Sequence, residues 1–93
     1  MLYTMVFDWK GGTYVSQVRA RSVHTAFKKW AKGLNANEVP GLGRAGHGQL
    51  CREMEAIESV SIEGLRNVWC RTCALRGELA LINAIQTDAG QRS

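Results

Sequence analysis

The first twenty residues alternate between apolar and polar side chains on either side of a glycine pair. Every second position of the first strand is a large apolar residue: Tyr3, Met5, Phe7 and Trp9. Gly11 and Gly12 supply the positive φ angles that a two-residue hairpin turn needs. This turn predicts the following cross-strand pairs: Trp9 with Tyr14, Met5 with Val18, and Tyr3 with Ala20. The chain therefore begins with a β-hairpin whose apolar face must be covered.

The next segment changes to the helical period. Ser22 is placed to cap a helix, because its hydroxyl accepts a hydrogen bond from a first-turn amide. One apolar stripe follows at spacings of three and four: Val23, Ala26, Phe27, Trp30, Ala31 and Leu34. Gly33 predicts the end of this helix. The stripe should pack on the hairpin, while the polar side chains point away from it: His24, Lys28, Lys29 and Lys32.

The second half predicts a long loop, another helix and another hairpin. Residues 35–48 hold four of the ten glycines and the only proline, which is typical of a loop. A helix is expected over about residues 49–58, and a short edge strand around Val60 and Ile62. A second hairpin turns at Arg76 and Gly77. Its last segment, residues 78–87, is rich in Leu, Ala and Glu, so a helix is the alternative there.

These elements predict a single α+β domain over residues 1–93, in the order ββααββ. An antiparallel four-stranded sheet, built from two hairpins, carries two helices on one face. The second hairpin is apolar on both faces, so two helices leave one face uncovered. We therefore expect a homodimer, since two-fold dimers are the commonest homo-oligomers. Its predicted interface contains Trp69 and Ile82, with Val6 and Val15 at the rim.

Composition indicates a soluble chain with an asymmetric charge. Residues are 45% hydrophobic and 22% charged, and no apolar run is long enough to span a bilayer. The N-terminus lacks the pattern of a signal peptide, so we expect a cytoplasmic protein. The net charge of +4 is concentrated in the first half of the chain. Nucleic acid is therefore the alternative partner, bound by a basic stripe: Arg19, Arg21, Lys28, Lys29 and Lys32.

Cys70 and Cys73 form a Cys-x-x-Cys pair that invites a redox or zinc interpretation. If the segment is a strand, residues three apart point to opposite faces, so the two sulfurs cannot readily meet. His47 and Cys51 would complete a set of four zinc ligands, but a zinc pair belongs in a turn. We predict no metal, no disulfide and no cofactor.

Residues 41–46 spell Gly-x-Gly-x-x-Gly without the preceding strand that a dinucleotide site requires. A weaker prediction survives, because glycine-loop amides at a helix start can hold a small anion. That anion site would contain the following residues: Gly43, Arg44, Gly46 and His47. No serine lies in a nucleophile elbow and no histidine adjoins a carboxylate in sequence, so we expect a protein that is not an enzyme.

Two segments, GGTYVSQVRARS and GLRNVWC, resemble small bacterial orphan proteins carried on integron cassettes. That resemblance implies an accessory gene and transfers no functional residues. The opening hairpin with Ser22, Ala26 and Trp30 is also similar to the start of HicB-type antitoxins, whose later pattern is absent. The sequence thus predicts a small binding protein, whose partners are a second copy of itself and a protein or small anionic ligand.

Overall fold

The computed structural model describes residues 1–56, 60–61 and 66–87. The elements are β1 (Leu2–Trp9), β2 (Gly12–Arg19), α1 (Val23–Gly33), α2 (Gly43–Ala56), β3 (Val60–Ser61), β4 (Val68–Leu75) and β5 (Glu78–Thr87). The strands form one antiparallel sheet in the order β2-β1-β5-β4-β3, and both helices pack on one of its faces. The predicted α+β fold with four long strands and the order ββααββ is confirmed. The predicted edge strand is present at Val60, while Ile62 lies outside the described residues.

The first hairpin turns one step earlier than predicted. Lys10 and Gly11 are the turn residues, with φ angles of 51° and 81°. Trp9 therefore pairs with Gly12, and Tyr14 pairs with Phe7, so the predicted register is wrong by two positions. Two glycines in a row left the turn ambiguous, and a lysine tolerated a positive φ. Because the shift is even, the same side chains still share a face.

The second hairpin has the predicted turn and register. Arg76 and Gly77 adopt φ angles of 50° and 81°, and Leu75 pairs with Glu78 across the turn. Residues 78–87 form strand β5, which settles the alternative between strand and helix. The strand alternation places Trp69 and Ile82 on the side of the helices, and Leu81 on the opposite side.

Helix α1 begins and ends as predicted. The Ser22 hydroxyl accepts from the amide of Thr25 at 3.2 Å, and the helix ends at Gly33. Four residues of the apolar stripe are buried against the sheet: Ala26, Phe27, Trp30 and Ala31. His24 departs from the prediction, because its ring is partly buried and reaches Arg71 on β4. Within the described chain, neither α1 nor α2 is long and apolar enough to cross a bilayer.

Helix α2 begins at Gly43 rather than near residue 49, so the predicted long loop is wrong in its second half. Each glycine lowers helix propensity by about 1 kcal/mol relative to alanine, which made this segment look unhelical. Packing overrides that cost, since Leu42 and Leu50 are completely buried. Gln49 also accepts a hydrogen bond from the Arg76 amide at 3.0 Å, which fastens the helix to the second turn.

The centre of the sheet is the pairing of the first strand with the last. β1 pairs with β5 so that Phe7 lies beside Ile82, and Tyr3 meets Trp69 edge to face at 6.2 Å between ring centroids. Ile82 is 0% exposed in this core. It is therefore not available to a partner, and the predicted dimer interface must be corrected: Ile82 and Trp69 lie on the covered face, opposite Val6 and Val15.

Candidate binding surfaces

The sheet face turned away from the helices, here called the outer face, has no described element packed on it. Its apolar side chains are Leu2, Val6, Val15, Val68, Cys70, Ala74, Leu79, Leu81 and Ile85. Val15 and Leu79 are 64% and 65% exposed. Among the paired positions of the four long strands on this face, only Asp8 and Arg19 carry charge. It is a mostly apolar surface with two charged side chains.

Three polar side chains of the outer face, those of Gln17, Thr4 and Thr87, are joined by hydrogen bonds. The Gln17 amide donates to the Thr4 hydroxyl at 3.1 Å, and the Thr4 and Thr87 hydroxyls lie 2.6 Å apart. Thr87 in turn donates to the carbonyl of Ile85 at 3.1 Å. Because Thr87 uses its proton in that bond, the Thr4 hydroxyl donates to Thr87. The hydrogen bonds therefore form one chain from Gln17 on β2, through Thr4 on β1, to Thr87 on β5. Such groups lose little when water is removed from them, because they keep their partners.

A groove follows the free edge of β2 on the helix side. A cavity of about 380 Å³ lies between β2 and the end of α1, lined by Ser16, Gln17, Val18, Lys29, Trp30, Gly33, Leu34, Asn35 and Glu38. A second cavity of about 460 Å³ lies beside the first turn, lined by Trp9, Lys10, Gly11, Gly12, Tyr14, Pro40 and Gly41. No sequence pattern predicted this groove, because it depends on β2 being at the sheet edge.

The cysteines lie where the strand prediction put them. Cys73 is buried on the helix side of β4, whereas Cys70 is partly buried on the outer face. All three cysteines are free. Within residues 1–56, 60–61 and 66–87, no three His, Cys, Asp or Glu side chains come together as metal ligands, so His47, Cys51, Cys70 and Cys73 do not converge.

Burial also makes these thiols poor nucleophiles. It raises the pKa of Cys73 to about 11, with Glu53 adding to the shift. Burial raises the pKa of Cys70 as well, and burial followed by Glu55 raises that of Cys51. The thiolate is the reactive form, and a raised pKa leaves little of it at neutral pH. The arrangement opposes the activated cysteine that redox chemistry needs.

We predict that Cys73 reacts with a disulfide reagent near pH 8 only as fast as the chain unfolds. Cys51 and Cys70 should react first, because both are less buried. Time courses of thiol labelling, with Cys73→Ala as the control, measure this directly. The variant should lose the slow phase and keep the fast ones. Equal rates for all three thiols in the folded and the urea-unfolded chain would contradict the structure.

The predicted anion site is not assembled. Its four residues belong to the first turns of α2 rather than to a loop. His47 Nε2 lies 2.7 Å from the carbonyl of Ala31, so this ring nitrogen fastens α2 to α1. Gly46 is buried, and a Cβ there would meet Leu42 at 2.8 Å. Gly43 and Arg44 remain exposed, and a helix start alone does not make a binding site.

The basic stripe is present but its members have separate roles. Arg19 and Arg21 are exposed, and Lys28 is partly buried. The Lys29 ammonium donates to the carbonyl of Arg19 at 2.8 Å. Lys32 Nζ lies 4.0 Å from Glu55 Oε2, an exposed ion pair. The core holds the aromatic side chains Tyr3, Phe7, Trp9, Phe27 and Trp30. The stripe thus offers positive charge without the exposed rings on which bases stack.

Sequence reasoning missed Arg71, which is 2% exposed on the helix side of β4. Its guanidinium donates to the carbonyl of Met54 near the end of α2, and to His24 Nδ1 at 2.9 Å. It also lies 4.7 Å from the ring centroid of Phe27. The alternation of β4 indicates this burial, because Arg71 lies two residues from both Trp69 and Cys73, which face the helices.

Comparisons with known proteins assign no family to this chain. Family models, curated proteins and solved structures give no match. The resemblances to integron-cassette proteins and to HicB-type antitoxins therefore stay predictions. Any function must be argued from the surfaces described above.

Proposed function

We propose that this chain is a small non-enzymatic binding protein that works as a homodimer, with two copies packed through their outer faces. The observation that carries the proposal is the exposure of Val15, Leu79 and Leu81 on one mostly apolar sheet face. Soluble monomers rarely leave a contiguous apolar patch of this kind in water. The interface contains Val6 and Val15, as expected from sequence, with Leu81 and Ile85 in place of Ile82 and Trp69.

The size of the outer face fits a specific interface. Four strands lie about 5 Å apart and rise about 3.3 Å per residue. With strands of at least eight residues, the face covers about 500 Å² on each copy. Two copies together reach the level of about 1,000 Å² expected of a biological contact. Sheets that stack in this way interdigitate side chains across about 10 Å.

Charge also supports a second copy as the occupant. Asp8 pairs with Thr13 near the first turn, while Arg19 pairs with Leu2 at the far end of the same strands. A two-fold axis running across the strands reverses the direction of the partner's strands. It therefore brings the Asp8 end of one copy over the Arg19 end of the other. The basic charge of the helices stays on the outside of such a dimer.

We predict that Leu81→Lys separates the dimer without unfolding either copy. Leu81 is 37% exposed, and Asp8 lies directly across the strand, where it can pair with the new ammonium. Each dimer would bury two added charges, which should weaken association by about a hundredfold. Sedimentation velocity over a concentration series measures the shift, and circular dichroism checks the fold.

Ala45→Lys is the matched control, since Ala45 is exposed on α2 and the change adds the same charge on the helix side. This variant should associate as strongly as the unmodified chain. If Leu81→Lys and Ala45→Lys leave association equally intact, the copies do not meet through the outer face.

A further inference from the structure

The free edge of β2 presents a ladder of backbone groups. Trp9 and Gly12 flank a two-residue turn and so exchange both backbone hydrogen bonds. Bonded and non-bonded pairs then alternate along the hairpin, which is consistent with the bonds between Met1 and Ala20 at 3.0 and 3.1 Å. The amides and carbonyls of Thr13, Val15 and Gln17 therefore point outward, away from β1.

This edge lacks the devices that usually prevent pairing. Proteins protect exposed edges with lysine, proline, bulges or short strands. β2 has eight residues, no proline and no charge before Arg19 at its end. Its pairing with β1 runs without a bulge from Leu2 to Trp9. The Lys29 ammonium binds the carbonyl of Arg19. The outward amides and carbonyls of Thr13, Val15 and Gln17 stay available to an added strand.

The two cavities lie beside this ladder, one after the other along β2. One lies next to Ser16 and Val18, and the other next to Gly12 and Tyr14. The β2 residues that line the two cavities are therefore centred about four residues, or about 13 Å, apart along the strand. A strand added to the edge points alternate side chains to the helix side. Two of its side chains, four positions apart, would enter the two cavities.

The walls of the cavities are largely aromatic and aliphatic. Trp30 and Leu34 line the first cavity, and Trp9, Tyr14 and Pro40 line the second. Such walls accept apolar side chains. The carboxylate of Glu38 lines the first cavity and would repel an acidic side chain of a ligand there. Positive charge lies at both ends of the groove, with Lys10 beside the second cavity and Lys29 beside the first.

From these features we infer that the β2 edge binds an extended peptide of another protein by strand addition. The peptide carries two apolar side chains four positions apart, with carboxylates flanking them. Backbone hydrogen bonds to Thr13, Val15 and Gln17 hold it, and the cavities select its side chains. The charge of the first half of the chain, seven Lys and Arg against two Asp and Glu in residues 1–47, favours acidic flanks. The Val15 side chain belongs to the outer face, but the edge amides, the edge carbonyls and the two cavities do not, so the inference does not depend on the dimer.

The test uses a fluorescein-labelled peptide of about ten residues, with two leucines four positions apart, threonines between them and glutamates at both ends. Fluorescence anisotropy should show saturable binding. Val15→Pro removes one outward amide, and proline is tolerated on edge strands. Val15→Ala shortens the same side chain and keeps the amide. Val15→Pro should bind about tenfold more weakly than Val15→Ala, the effect of one lost hydrogen bond.

A cavity variant gives an independent measurement. Gly33 lines the first cavity, and a Cβ there would meet nothing within 4 Å. Gly33→Leu should fill the cavity and weaken binding by at least tenfold, whereas Gly33→Ala should have little effect. Equal affinity for Val15→Pro and Val15→Ala, or no binding at millimolar peptide, would overturn the inference. So would dissociation of the homodimer by Val15→Pro but not by Val15→Ala, because the copies would then pair through the backbone of the edge.

Discussion

Replacing Arg71 with alanine is expected to lower the free energy of unfolding by about 3 kcal/mol. Arg71 is buried on the helix side of β4 and joins three elements. Its guanidinium donates to Met54 in α2 and to His24 in α1, and it lies against the ring of Phe27. Alanine would leave a cavity and remove the donor from a buried carbonyl. Urea unfolding followed by tryptophan fluorescence measures the loss.

Arg71→Met separates volume from hydrogen bonding. Methionine fills most of the space but donates nothing to Met54 or His24. We expect it to cost about half as much as alanine, because apolar packing offsets part of the loss of a buried charge. If Arg71→Ala changes the free energy of unfolding by less than about 0.5 kcal/mol, Arg71 does not join the helices to the sheet.

Ile82→Lys is expected to unfold the chain. Ile82 is 0% exposed and lies between Phe7 and Arg71 on neighbouring strands. A lysine there would lie beside a buried guanidinium of the same charge. An unpaired buried charge costs several kcal/mol, which is a large part of the stability of a domain of this size. Far-ultraviolet circular dichroism and thermal unfolding report the result.

The neighbouring residue provides the comparison. Leu81 adjoins Ile82 on β5, but its side chain points to the outer face. The Leu81→Lys chain should therefore stay folded, and its copies should separate. The two variants differ by one residue and one face. If Ile82→Lys stays folded and merely separates the copies, the helices cover the other face, and Ile82 lies in the interface between copies.

The hairpins could be predicted because their signals are local. Alternation from Tyr3 to Trp9, and the Arg76–Gly77 turn, both act between residues close in sequence. Helix α1 was equally clear, since Ser22 and Gly33 mark its ends. The error in the first turn arose where three residues, Lys10, Gly11 and Gly12, could each take part. Local chemistry thus defined both hairpins and helix α1, but not the first turn or the start of α2.

The sheet face that the helices leave uncovered could not be predicted from sequence, because it depends on a long-range pairing. Both faces of the second hairpin are apolar, so its own pattern does not say which one the helices cover. The pairing of Phe7 with Ile82 decides this, because it places Ile82 on the face of the first hairpin that α1 covers. The same pairing leaves β2 at the edge and so creates the groove. No local signal encodes it.

The early start of α2 and the burial of Arg71 were missed for a different reason. In both, tertiary packing overrides intrinsic preference. Gly46 is unfavourable in a helix but lets α2 approach Leu42 and Arg76 closely. Arginine is rarely buried in a core, but Arg71 has hydrogen-bond acceptors there from both helices. Residues that violate local rules are the ones that fasten the layers of this fold together.

The mass of the unmodified chain in solution tests the central claim most directly. One copy has a mass of 10.3 kDa. Light scattering coupled to size exclusion, at high micromolar concentration and moderate salt, should give twice that mass. It should fall towards the mass of one copy in Leu81→Lys and stay unchanged in Ala45→Lys. A mass of 10.3 kDa for the unmodified chain at every concentration would contradict the proposal that this protein works as a homodimer.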